Sequence, residues 1–124
     1  MRGITLIEVM IVVVIIAILA SIAYPSYTQY IMQSRRSDAM TVLLEMQSRQ
    51  ESWRINNPAY ASLADLGTLP ANNFYTFAVT SNTATAYTLT ATAVAGTTQA
   101  RDTGCTTLSL DQQGQRLPAE CWRK

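Results

Sequence analysis

Apolar positions along this chain follow two different rules. From Ile4 to Ala23 they run almost without a break, interrupted only by Thr5, Glu8 and Ser21. A helix of that length rises roughly 30 Å, the thickness of a bilayer's hydrocarbon core, and has no polar face. Past Pro25, which should bend or loosen the helix by removing a donor, the spacing changes. Ala39, Leu43, Met46, Gln50 and Trp53 recur at threes and fours, with Met40 and Leu44 widening the stripe. Arg35, Arg36, Asp38, Glu45, Arg49 and Glu51 fill the other faces, so residues 26–55 read as an amphipathic helix. Asn56, Asn57 and Pro58 end it.

The rest of the chain alternates with period two. Residues 58–73 connect, with a short turn over 62–67 that Gly67 stops. Phe74 to Thr80 is a first strand, and 81–85 turns the chain. Tyr87, Leu89, Ala91 and Ala93 alternate with threonines in a second. Residues 106–110 form a third, and Asp111 to Gly114 turns into a short fourth over 115–117. The pattern predicts an α+β fold: one long helix packed on a small antiparallel sheet spanning about residues 73–117.

Composition removes several function classes. There is no histidine, and the formal net charge is +1, so the commonest general base and metal ligand are missing. No Gly-rich phosphate loop, CxxC pair or metal-ligand spacing occurs. Asp102, Asp111 and Glu120 read as surface carboxylates, and Arg35 and Arg36 as a solvated face or as contacts to lipid phosphate or a neighbour. Met40, Met46 and Trp53 read as core. No cofactor and no enzymatic activity are expected. The only two cysteines, Cys105 and Cys121, follow an export-type segment into an oxidising compartment, where a bridge is expected over two separate thiols.

Glu8 gives the apolar segment a purpose. A carboxylate inside a membrane helix costs a few kcal/mol, and the segment holds no cation to offset it. Cleavage after Gly3 would free an α-amine on Ile4, one helical turn from Glu8. That carboxylate could then neutralise its own amine or a neighbour's.

Arg2-Gly3-Ile4-Thr5-Leu6-Ile7-Glu8-Val9-Met10 resembles the processing signal of type IV pilins (type IVa), and Ile22 to Tyr27, with Pro25, continues the likeness. The resemblance implies the type IV pilin fold and divides the chain into a leader at 1–3, a membrane and filament-core helix at 4–25, and a head at 26–124. It further implies cleavage after Gly3 by a prepilin peptidase, N-methylation of Ile4, and recruitment of the next subunit through Glu8. The partners implied are other pilins and the inner-membrane assembly machinery. The location implied is the inner membrane first and an extracellular pilus afterwards.

The segment from Cys105 to Arg123 is similar to the tail of PilE-type minor pilins, which points to a minor subunit serving pilus biogenesis, adhesion or twitching motility. Three alternatives share the N-terminal signal: a major pilin, a pseudopilin of type II secretion, and a pilin that captures DNA. The last would use Arg101, Arg116, Arg123 and Lys124 as a small basic patch around the cysteines.

Overall fold

The computed structural model describes residues 2–123. A single helix, α1, runs Leu6–Asn56 and continues through Pro25. The chain divides into two compact units, Met1–Ile31 and Met32–Lys124.

In the first unit, the sequence Thr5-Leu6-Ile7-Glu8 starts the helix. Thr5 is the cap: its Oγ1 accepts the Glu8 N–H at 3.3 Å, and its carbonyl accepts the Val9 N–H at 3.2 Å. Ser21 and Ser26 return their hydroxyls to the carbonyls of Ile18 and Ile22, so these polar side chains need no outside partner. Around them the apolar residues are bare. Of the most apolar stretch of the helix, 0% is buried.

The second unit has an ordinary core. Met32, Ala39, Val42, Leu43, Met46 and Gln50 form the buried stripe of α1. The stripe is narrower than the sequence suggests: Val42 joins it, while Leu44 stays 39% exposed. Against the stripe lies a four-stranded antiparallel sheet in sequential order, β1 (Tyr75–Asn82), β2 (Tyr87–Ala93), β3 (Thr107–Asp111) and β4 (Arg116–Leu117). Register aligns one apolar face across the strands. Val79 pairs with Leu89 and Leu89 with Leu110, while Phe77 pairs with Ala91 and Ala91 with Leu108. Between Val79 and Ser81 the register slips, so β1 extends two residues into the expected turn before reversing.

Two polar clamps hold the connections onto the helix. Gln50, fully buried, donates its Nε2 to the Ala61 carbonyl at 2.8 Å and accepts the Ala61 N–H at 2.7 Å. This fastens the 57–73 connection, whose small turn is closed by Ser62 and Asp65 exchanging hydrogen bonds. Gly67 follows at φ +82°, a conformation most side chains resist.

The second clamp involves Arg36 and Asp102, joined by parallel bonds, Nε to Oδ2 at 2.9 Å and Nη2 to Oδ1 at 2.7 Å. Both are largely buried, which corrects the expectation of a solvated arginine and a surface carboxylate. Residue 36 lies 66 positions from its partner, so helical spacing carries no sign of the pair. Arg35 is engaged as well, its guanidinium lying 3.7 Å over the Phe74 ring.

Candidate functional site

The residues singled out from the sequence fall in two places, one in each unit. At the N-terminus, Gly3 precedes the helix, and a Cβ built on it would meet nothing within 4 Å. Its φ is not among the positive ones, so the chain's own packing imposes no need for glycine there. Ile4 is 75% exposed. Glu8 is exposed too, and among the described residues its carboxylate makes no hydrogen bond or ion pair. The capping geometry uses only its backbone N–H, leaving the acid unspent among exposed Ile4, Val9, Val12 and Val13. Thr5 is the residue that sequence reading treated as a mere interruption. Its signal was legible: Thr and Glu three apart, just before an apolar run, mark a helix start.

In the head, the C-terminal tail folds back over α1. The Cys105–Cys121 disulfide is formed, with Cα atoms 5.7 Å apart, and Cys121 is fully buried. Between the tail and the helix is a groove of about 260 Å³ that Met40, Leu44, Arg116, Trp122 and Arg123 help to line. The Arg116 guanidinium lies 5.3 Å from the Trp122 ring centre. The groove thus collects two of the four cations that sequence reading grouped together. Arg101 is exposed at the end of a short 3-10 turn, Thr98–Arg101, and does not line it. Lys124 lies outside the described residues. Arg36 also lines the groove, but Asp102 and the Cys121 carbonyl engage its guanidinium.

The remaining acids near the bridge are explained locally. Asp111 accepts the backbone N–H groups of Gln113 and Gln115, both at 2.9 Å, and so shapes the β3–β4 turn. Glu120 is exposed. Behind the groove, buried Gln99 donates from Nε2 to the Met32 carbonyl at 2.9 Å and to the Tyr75 hydroxyl at 2.7 Å. Its Oε1 is buried without a partner, so this cluster returns less than full stability. Burial raises the Tyr75 hydroxyl above its usual value. Burial, helped by the Glu51 carboxylate that Tyr87 faces at 3.3 Å, raises Tyr87 to about 12.

One helix bare at its start and sheathed by a four-stranded meander later, with a stapled tail, defines the type IV pilin fold. A type IV pilin from Shewanella oneidensis is similar, with a TM-score of 0.57 and 32% identity over 75% of this chain and 99% of that one. Residues 1–24 match the prokaryotic N-terminal methylation motif. Residues 25–109 match the family described as type IV minor pilin ComP, DNA uptake sequence receptor. No curated protein sequence matches. That second match covers 85 of 124 residues, and the chain belongs to this type IV minor pilin family. It is a structural subunit of a type IV pilus.

Proposed function

We propose that the chain is cut after Gly3 by a prepilin peptidase, methylated on Ile4, held in the inner membrane by its apolar helix, and drawn into the filament through Glu8. The observation that carries this reading is the bare helix with one unpartnered acid. An apolar surface on every face has to be covered from outside, by lipid before assembly and by neighbouring helices after it. Within such cover a lone carboxylate is costly until a cation meets it. The new α-amine on Ile4 of an adjacent subunit is that cation. The pair then fixes axial register, because only one stagger brings amine and acid together. Glycine at position 3, where the fold makes no demand, fits a requirement imposed by an enzyme's cleft.

Mass spectrometry of sheared surface filaments tests this. A peptide beginning at methylated Ile4 is expected, at low abundance relative to the major subunit. Its absence from filaments that contain the chain would refute the processing step. Gly3→Leu should leave uncut precursor in the inner membrane, and normal processing of that variant would count equally against it.

The family description supplies a second reading, in which the head contacts DNA. The groove with Arg116, Arg123 and Trp122 supports it, since guanidinium groups pair with phosphates and an indole offers a stacking surface. A mobility shift with duplex DNA, weakened by salt and by Arg116→Ala with Arg123→Ala, is the expected result. An unshifted duplex at low salt would dismiss it.

A further inference from the structure

We propose that the open groove between the end of α1 and the 57–73 connection binds a carbohydrate. It holds about 440 Å³, within the range of roughly 300–1,000 Å³ usual for small-molecule sites. Ser48, Ser52 and Asn56 stand one turn apart along one edge of the helix, with Trp53 beside them and Asp65 across the gap.

The polar groups lining this groove are unspent. Elsewhere on α1, Ser21, Ser26, Thr28, Ser37 and Thr41 return their hydroxyls to backbone carbonyls, while exposed Ser34 does not. Among the described residues, neither the Ser48 and Ser52 hydroxyls nor the Asn56 amide makes any hydrogen bond, and all three residues are exposed. The Trp53 indole N–H also has no partner, and it is not among the buried polar atoms left unsatisfied. Asp65 uses Oδ2 for Ser62 and leaves Oδ1 free.

Charge narrows the ligand class. Arg49 lines the groove, yet its guanidinium already serves Glu45, at 2.6 Å, and the carbonyls of Leu66 and Thr68. Among the described residues no unengaged cation lines the groove, and Asp65 brings a negative charge, so phosphate or sulfate is disfavoured. What remains is a set of neutral donors and acceptors, one carboxylate and one half-buried indole. A sugar ring matches that set: its hydroxyls both donate and accept, and its C–H face packs on flat apolar surface.

The test uses the full chain in a phosphocholine detergent, whose headgroup carries no sugar. Trp122→Phe leaves Trp53 as the sole tryptophan reporter, and saturation-transfer NMR on the unsubstituted chain gives an independent reading. The probes are galactose, glucose, mannose, fucose, the two N-acetylhexosamines and sialic acid. At least one should shift Trp53 emission and receive saturation. Ser52→Ala with Asn56→Ala, both on the exposed edge, should weaken that binding about thirtyfold through two lost hydrogen bonds. Silence from every sugar, with the head still folded by circular dichroism, overturns the proposal. So does binding untouched by the double substitution, or a Trp53 response to duplex DNA alone.

Discussion

The two halves of α1 obey the same backbone geometry and have opposite fates. Residues 6–27 are exposed throughout, whereas residues 32–56 sink six residues into the head. The difference lies in the polar positions. In the second half, Arg35, Arg36, Arg49 and Glu51 interrupt the apolar residues often enough to leave one stripe, and a sheet made by the same chain covers it. In the first half there is no stripe to cover, so the sequence specifies a helix and leaves its environment to other molecules. Charge shows the same contrast. Arg36 finds Asp102 within the fold, while Glu8 has no cation among the described residues.

Substitutions matched across this divide should separate. The largest expected effect is at Arg36. Arg36→Ala leaves the Asp102 carboxylate buried and unpaired, and should cost the head about 3–5 kcal/mol by chemical denaturation. Glu8→Ala should leave the same unfolding curve unmoved while removing the chain from purified filaments. A matching loss of head stability in Glu8→Ala would erase the distinction.

Apolar truncations give the next contrast. Leu43→Ala empties a fully buried site and should cost about 2–5 kcal/mol. Ile11→Ala, on the bare half, should change head melting not at all. Reduction of Cys105–Cys121 comes next. Its sixteen-residue separation implies a loss of about 3 kcal/mol in the chain-entropy account, read as a lower melting temperature.

The smallest effect is alkaline. Because Tyr87 is raised to about 12 when folded from 10 when unfolded, the native state holds its proton longer. Its contribution is complete below pH 10 and is lost as pH climbs toward 12. Tyr87→Phe should flatten stability over that window.

Much of this architecture could be read directly from residue patterns. The end of α1, the second strand and the tail hairpin fall where periodicity and turn residues place them, because each is governed by near neighbours in sequence. The N-terminal site we propose is equally local, since Gly3, Ile4 and Glu8 lie within six residues of sequence. What escaped depends on distant partners. Arg36 and Asp102 meet across 66 residues, and Gln50 reaches Ala61 through a loop. Arg116 and Arg123 share a groove that excludes Arg101, an outcome set by how the tail folds back. Leu44 has the right residue type for the stripe, yet it stays 39% exposed and lines the tail groove.

The bare helix also bears on reversibility. Lipid tails and the side chains of neighbouring helices offer the segment nearly the same apolar surroundings, so moving it between them releases little hydrophobic free energy in either direction. Under the proposed function, trimming and methylation are the only covalent changes that precede entry into the filament. On that reading, passage between bilayer and filament leaves the stapled head folded. The filament is, on the same reading, a store of subunits on loan from the membrane.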